Sequence, residues 1–342
     1  MTTSAMATTA ATKKGARMGR LNSILCGVLA FAATMFVANA SAQVVSYSHE
    51  GATIKLRTIE IDAGAEKPFS VVHISDSHLA YADERDGERK VKLAARRSKK
   101  MVKPEEMLRA HREYAKENNM IIVHSGDLCD FVSQKNLEIA KDIFSEGAWI
   151  VCAGNHEFSQ YVGEAKEDDA YRAQTNDKVQ AVYPNDLTFH SRVVNGVNFV
   201  TLFNGYYKFS KEQFVQMKKE VKKGLPIILV CHNPFYTPDM CERIQRGNKV
   251  KATGLVGVPR WITDEYYHKE RPAGQEWRNR NVQQRADKTT LKFCKWLKKQ
   301  EELKAILTGH CHFYYQTKFS PTATQYTVSK GCSGHGYIVN IK

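Results

Sequence analysis

From residue 50 onward, short apolar runs alternate with longer amphipathic stretches. Apolar runs of this length, bounded by turn residues, predict buried strands. They occupy residues 69–75, 120–125, 149–152, 227–231 and 305–308. The amphipathic stretches predict helices that begin at Pro104 and that span about 134–145, 163–180, 210–223 and 287–301. Strands that alternate with helices predict an α/β fold whose central strands are mostly parallel.

Other segments predict antiparallel pairs. Residues 53–61 alternate apolar and polar positions, as a half-exposed strand does. Residues 188–203 hold two apolar runs joined by Asn195-Gly196, a dipeptide that favours a tight hairpin turn. Two or three further strands are expected within residues 313–341. Together with the parallel strands, these pairs predict two packed mixed sheets.

Polar residues that can bind metals follow each of the five buried strands. They are Asp76, His78, Asp127, Asn155, His232, His310 and His312. Because the carboxyl ends of parallel strands meet at one edge of a sheet, we expect these side chains to form one site. Imidazole and carboxylate suit Zn, Fe, Mn or Ni. Seven such groups are too many for one tetrahedral ion, and they fit two ions that share the carboxylate of Asp127.

A pair of metal ions points to chemistry at phosphorus. Two ions about 3.5–4 Å apart can hold the attacking and leaving oxygens of an in-line displacement, and they make hydroxide available near neutral pH. The sequence therefore predicts a hydrolase in which a metal-bridging hydroxide attacks a phosphate ester, with two divalent ions (Mn, Zn or Fe) as cofactors.

The spacing of these residues resembles a known family. Asp76-x-His78, Gly126-Asp127-x-x-Asp130, Gly154-Asn155-His156-Glu157, His232 and Gly309-His310-x-His312 are similar, in the same order, to the five sequence blocks of the calcineurin-like metallophosphoesterases. The resemblance spans residues 76–312. It implies a four-layer α/β/β/α sandwich with two central mixed β-sheets.

The same resemblance implies a role for each residue. Asp76, His78 and His312 would hold the first metal, Asn155, His232 and His310 the second, and Asp127 would bridge them. His156 would stabilise the transferred phosphoryl group or protonate the leaving oxygen. Asp130 would orient His156, because a carboxylate fixes the tautomer of an imidazole.

Departures from the family pattern narrow the function. Protein Ser/Thr phosphatases of this superfamily carry arginines where this chain has Ala153 and Phe131-Val132, so a protein phosphatase is disfavoured. Purple acid phosphatases have a tyrosine ligand at the position of Asp130, so a purple Fe(III) centre is disfavoured in this chain. Periplasmic 5′-nucleotidases share the Gly-Asn-His-Glu-Phe pattern but need a further domain, and only 30 residues follow His312.

Two insertions are expected near the mouth of the site, at residues 81–103 and 238–286. The first is rich in Arg and Lys, and most of its charges are expected on a solvated face. The second is rich in Arg and aromatic residues, which read phosphates and stack on rings. The predicted substrate contacts are Trp277, Arg278, Arg280 and Tyr206; the alternatives are that the second insertion is a locally packed surface subdomain and that Tyr206 serves packing.

A phosphomonoesterase is favoured, because the pair Asp130–His156 supplies an acid for a poor leaving group. The alternative is a phosphodiesterase acting on cyclic nucleotides, nucleic acid or phospholipid head groups, which the basic insertion supports. A non-catalytic metal-binding scaffold is a third hypothesis, although such proteins normally lose ligands. The oligomeric state is open at this stage.

The N-terminus predicts export. Residues 1–49 contain no Asp or Glu, four basic residues precede an apolar stretch from Leu21 to Ala40, and Ala40-Ser41-Ala42 resembles a cleavage site. We therefore expect a signal peptide at 1–42, a phosphoesterase domain at 43–342 and a periplasmic or secreted protein, membrane-anchored if uncleaved. Cleavage would lower the net charge from +14 to 14 − 4 = +10. A basic protein attracts anions such as phosphorylated molecules, nucleic acid or acidic lipids, and the charge also favours solubility.

Overall fold

The computed structural model describes residues 43–159, 169–247, 254–262 and 285–342, which lie in one compact unit, Ser41–Lys342. The strands are β1 (Val44–His49), β2 (Ala52–Ile61), β3 (Phe69–Ile74), β4 (Ile121–His124), β5 (Trp149–Val151), β6 (Phe189–Val194), β7 (Val197–Leu202), β8 (Ile227–Val230), β9 (Leu303–Thr308), β10 (Tyr315–Lys318), β11 (Thr324–Thr327) and β12 (His335–Ile341). The helices are α1 (Glu88–Arg97), α2 (Pro104–Glu117), α3 (Gln134–Phe144), α4 (Asp169–Gln180), α5 (Lys211–Val221), α6 (Pro238–Gly247) and α7 (Lys288–Leu297).

The strands form two mixed six-stranded sheets. The first has the order β1-β2-β12-β3-β4-β5, and the second has the order β10-β11-β9-β8-β7-β6. Strands β3, β4 and β5 are mutually parallel neighbours, as are β7, β8 and β9. Antiparallel partners lie elsewhere: β1 with β2, β3 with β12, β6 with β7, and β10 with β11. The carboxyl ends of each parallel set therefore share one sheet edge.

Alternation along the strands builds four layers. In β8, Ile228 packs into the apolar cluster between the sheets, whereas Leu229 packs outward against α5 and α7. In β3, Val71 faces the same inner cluster, and Val72 joins the cluster beneath α2 and α3. Because both faces of each central strand are covered, these strands are continuous apolar runs in the sequence. The predicted α/β/β/α arrangement with two central mixed sheets is confirmed.

The sequence missed some elements. Strand β1 went unpredicted because it lies at a sheet edge and mixes apolar with polar residues, and three of its six residues are exposed. The insertion 81–103, expected mainly as a solvated charged face, contains α1, which has a buried side of Leu93 and Ala94. The signal peptide 1–42 and most of the insertion 238–286 lie outside the described residues. No helix among the described residues is long and apolar enough to cross a bilayer.

Candidate metal centre

The two sheets meet at the edge that carries the predicted ligands. Asp76 and His78 follow β3, Asp127 follows β4, and Asn155 follows β5; His232 follows β8, and His310 and His312 follow β9. Hydrogen bonds connect the loops that follow the strands of the first sheet with the loops that follow the strands of the second sheet. The backbone N–H of His310 donates to Asp76 Oδ2 over 2.9 Å, and His232 Nδ1 donates to the carbonyl of Ser125 over 2.9 Å. The structure thus brings the predicted ligands to one place.

Asp76, His78 and His312 form the first candidate metal group. His78 Nε2 lies 3.0 Å from His312 Nε2 and 3.6 Å from Asp76 Oδ1, and His312 Nε2 lies 3.0 Å from Asp76 Oδ1. Ligands about 2.0–2.1 Å from a tetrahedral zinc ion would be separated by about 3.3 Å. The spacing of these three atoms therefore fits a shared divalent ion.

Asp127, His232 and His310 form the second candidate group. His232 Nε2 lies 3.0 Å from Asp127 Oδ2 and 3.3 Å from His310 Nδ1. Asn155 is buried next to this group, and the following backbone N–H, of His156, donates to Asp127 Oδ1 over 2.9 Å. Two separate groups of three protein ligands fit two ions better than one. Their assignment as ligands remains a prediction.

Hydrogen bonds on the far side of each imidazole orient the ligand rings. Because the Ser125 carbonyl only accepts, His232 donates to it through Nδ1, so Nε2 is the nitrogen that faces Asp127 and the candidate metal position. His310 Nε2 lies 3.0 Å from the Tyr207 hydroxyl, so its Nδ1 faces the centre. His78 Nδ1 lies 3.0 Å from Asp130 Oδ1. This arrangement of a ligand ring held by an outer polar group is typical of metal-binding histidines.

The ligand loops hold an unusual backbone conformation. Five predicted ligands adopt positive φ: Asp76 (55°), His78 (47°), Asp127 (55°), His310 (67°) and His312 (58°). Non-glycine residues seldom adopt this left-handed region, and those that do often mark functional sites. The backbone therefore carries strain where the ligands are, which supports a functional role for this edge.

Gly154 makes the close approach of two ligand loops possible. A Cβ at this position would lie 2.1 Å from Asp127 Oδ1 and 2.6 Å from the Asp127 backbone N. Glu157 reinforces the contact, since its carboxylate accepts hydrogen bonds from the backbone N–H of Asp127 (3.1 Å), Cys129 (3.1 Å) and Gly154 (2.7 Å). Glu157 therefore joins the loops after β4 and β5.

Positively charged or hydrogen-bonding neighbours keep the carboxyl groups of Asp127 and Asp130 ionised. Burial alone would raise the pKa of Asp127, but the charges of His232 and His156 outweigh burial and hold that pKa below its usual value. Burial would likewise lower the pKa of His232, but Asp127 raises it to about 9. The pKa of Asp130 also lies below its usual value, because hydrogen bonds from His156, His78 and Arg97 outweigh burial. Ionised carboxylates are what a divalent cation requires.

His156 and Asp130 lie beside both metal groups. His156 Nδ1 donates to the Asp130 carbonyl over 2.8 Å and lies 3.3 Å from Asp130 Oδ1, while its Nε2 lies 3.9 Å from Asp127 Oδ2. The pairing implied by the family resemblance is thus present, although the shorter contact runs to the backbone. Asp130 also accepts hydrogen bonds from Arg97, which belongs to the insertion whose charges were expected mostly on a solvated face.

The predicted substrate contacts have mixed positions. Tyr206 is buried, packs edge-on against Phe203 and donates its hydroxyl to the Phe158 carbonyl over 2.6 Å. Trp277, Arg278 and Arg280 lie outside the described residues. The role of these four residues in substrate binding stays a prediction.

Solved structures resemble this chain at low sequence identity. A dimetal phosphatase from Danio rerio aligns with a TM-score of 0.43 at 13% identity, covering 78% of this chain and 89% of that one. A putative 5′-nucleotidase from Staphylococcus aureus aligns with 0.40 at 13%, covering 78% of this chain and 49% of that one. A phosphopantetheinyl hydrolase from Mycobacterium tuberculosis aligns with 0.37 at 11%, covering 77% and 90%.

Sequence comparison defines the family. No curated protein sequence matches the chain significantly. The family profile of the calcineurin-like phosphoesterases matches residues 69–314, a span that contains all five sequence blocks and most of the chain. The resemblance deduced from the sequence is confirmed, and the chain belongs to the calcineurin-like phosphoesterase family.

Proposed function

We propose that this member of the family is an exported phosphomonoesterase with two divalent metal ions. It is a metallophosphoesterase, a hydrolase of phosphate esters, with two groups of His and Asp side chains suited to metals. The observation that carries the monoester assignment is His156, which lies between both groups with its Nδ1 held by Asp130 and its Nε2 directed toward Asp127.

The residues of the site have separate roles. Asp76, His78 and His312 would hold one ion, His232, His310 and Asn155 would hold the other, and Asp127 would be shared by both. When bound, the two ions activate water near neutral pH and offset the charge of the phosphate. His156 Nε2 gives a proton to the leaving oxygen. An alkoxide is a poor leaving group, so a positioned acid matters most for a monoester of an alcohol.

A phosphodiesterase is the second candidate. A cavity of about 540 Å³ lies between α1, α3 and α4, and its charged lining consists of Arg85, Lys90, Lys141 and Lys178 together with Asp86 and Glu138. Ammonium groups attract backbone phosphates of nucleic acid or lipid head groups. Binding of such a ligand should weaken steeply as salt rises.

The deciding experiment compares p-nitrophenyl phosphate with bis-p-nitrophenyl phosphate. The protein from Gln43 onward is stripped of metal and reconstituted in turn with Mn, Zn and Fe, which also identifies the working metal. Faster metal-dependent hydrolysis of the monoester supports the proposal, and a preference for the diester supports the second candidate. Failure to take up divalent metal or to hydrolyse either ester would contradict an enzymatic role.

Two variants test the division of roles. Asp127→Asn should weaken both metal sites, because the family resemblance makes its carboxylate the ligand that both ions would share. His156→Ala should retain both metals and lower kcat by about 10²–10⁴-fold, the usual contribution of a positioned acid. Metal content is measured by elemental analysis after dialysis. Equal metal loss in both variants would contradict the assigned roles.

Export is tested separately. The first 42 residues carry the pattern of a signal peptide. When the full chain is expressed, N-terminal sequencing of the exported protein should begin at Gln43. A protein that retains residues 1–42 at a membrane would support an anchor instead, and one that stays in the cytoplasm would contradict export.

A further inference from the structure

Helix α1 has a buried side that faces the site. Leu93 and Ala94 are buried and form a small apolar cluster with Ala80 and Phe131. Ala80 follows the His78 loop, and Phe131 directly follows Asp130. The helix is thus anchored to the loops after β3 and β4. Arg97 lies three and four residues beyond the two buried positions, so it shares their face of the helix.

Arg97 donates two hydrogen bonds to the Asp130 carboxylate. Its Nε donates to Oδ2 over 2.6 Å, and its Nη2 donates to Oδ1 over 2.7 Å. The Asp130 side chain is fully buried and that of Arg97 is 14% exposed. A two-pronged guanidinium–carboxylate pair fixes the plane of the carboxylate as well as its position. A surface ion pair would hold it much less firmly.

The same carboxylate faces two rings of the site. Asp130 Oδ1 lies 3.0 Å from His78 Nδ1 and 3.3 Å from His156 Nδ1. A rotation of the carboxylate would move this oxygen away from both rings at once. The two Arg97 hydrogen bonds, one to each carboxylate oxygen, oppose that rotation.

We propose that Arg97 is a positioning residue, which locks the Asp130 carboxylate so that it orients His78 for metal binding and His156 for catalysis. This inference rests on the proposed function and deepens it. It also gives the insertion 81–103 a role in the site, because helix α1 brings a guanidinium to the Asp130 carboxylate. Outer groups that orient metal ligands commonly contribute 10–100-fold to metal affinity or activity.

The primary test compares Arg97→Met with Arg96→Met. Arg96 is the neighbouring arginine on α1 and is exposed, so its variant controls for loss of charge on the helix. In the holoenzyme, Arg97→Met should lower kcat for p-nitrophenyl phosphate by about 10–100-fold with KM changed less than threefold. Arg96→Met should retain the wild-type kcat. Arg97→Lys should recover only part of the loss, because an ammonium cannot form the fork.

Chemical rescue separates positioning from general damage. Guanidinium at millimolar concentration should restore kcat of Arg97→Ala several-fold, whereas methylammonium should not, because only guanidinium can donate two parallel hydrogen bonds to Asp130. In a double-mutant cycle, Arg97→Met should cost much less in the His156→Ala background than in the wild type, since the ring it helps to orient is gone. Additive losses without guanidinium rescue would overturn the inference and leave a purely structural role.

Metal binding provides a readout that does not require turnover. Titration calorimetry with Mn²⁺ alone should show at least tenfold weaker binding at one site of Arg97→Met than in Arg96→Met, because His78 loses its oriented partner. If the wild-type protein hydrolyses no phosphate ester, the proposed function fails, but this comparison still tests Arg97. Equal Mn²⁺ affinities in the two variants would overturn the positioning role.

Discussion

Glu157 offers a stringent test of how the ligand loops are held. Its side chain is 1% exposed and accepts four hydrogen bonds. Oε2 accepts from the backbone N–H of Gly154 and Asp127, and Oε1 accepts from the N–H of Cys129 and from the Tyr183 hydroxyl at 3.1 Å. In Glu157→Gln, one oxygen becomes an NH₂ group that meets donors. The less costly orientation places NH₂ at Oε1, because a hydroxyl can turn and accept.

The loss of unfolding free energy expected for Glu157→Gln follows from the number of hydrogen bonds that the substitution removes or weakens. Even in the better orientation, the N–H of Cys129 loses its acceptor, which costs about 1–3 kcal/mol for a buried donor. The two remaining N–H bonds lose the help of a charge, about 0.5–1 kcal/mol each. The expected loss of unfolding free energy is therefore about 2–5 kcal/mol. Tyr183→Phe removes one bond while the carboxylate remains, so its loss should be nearer 1 kcal/mol.

Urea denaturation of the metal-free proteins in chelator measures both variants against the wild type. The comparison is made without metal so that a change in metal affinity does not enter the free energy of unfolding. A loss below about 1 kcal/mol in Glu157→Gln, or one equal to that of Tyr183→Phe, would refute the view that this carboxylate ties the two loops together.

Three further predictions concern the site and the core. Gly154→Ala should abolish binding of at least one metal in elemental analysis, because its Cβ would lie 2.1 Å from Asp127 Oδ1; normal metal content would contradict this. Tyr207→Phe should weaken metal binding about 10-fold in calorimetry by releasing His310; unchanged affinity would show that the ring needs no such support. Burial lowers the pKa of His111 to about 4. Between pH 6.5 and 4, this imidazole is therefore protonated in the unfolded chain but mostly neutral in the folded chain. His111 therefore permits full stability above pH 6.5 and costs about 3 kcal/mol as pH falls to 4. Denaturation of metal-free His111→Gln at several pH values should show a shallower acid loss, and an unchanged slope would refute the assignment.

The central strands could be predicted from the sequence because a strand that is buried on both faces is a continuous apolar run. Strands β3, β4, β8 and β9 are short apolar runs, and each is followed within a few residues by a buried or half-buried polar residue of the site. The hairpin of β6 and β7 was equally clear from Asn195-Gly196, where both residues adopt positive φ. The α/β/β/α order was implied by the family resemblance, whereas the strand patterns alone predicted two packed mixed sheets.

Other features depend on three-dimensional contacts that composition hides. Arg97 is one of several basic residues between 81 and 103, and its charge alone does not distinguish it from exposed Arg96. A period of three to four residues linking Leu93, Ala94 and Arg97 could have indicated a shared face. Glu157 stood inside a motif, yet its hydrogen bonds to two loops follow from the strand order rather than from its neighbours in sequence.

The left-handed backbone of the ligand loops affects how the site should be dissected. At Asp76, Asp127 and His310, a substitution changes the energy of the main chain as well as the ligand set. Asn and Gly tolerate this conformation, whereas Ala or a β-branched residue adds about 1–2 kcal/mol of local strain. An alanine scan would therefore overstate the importance of these side chains. A scan with Gly would keep this backbone conformation accessible and report the loss of the ligand side chain with less added strain.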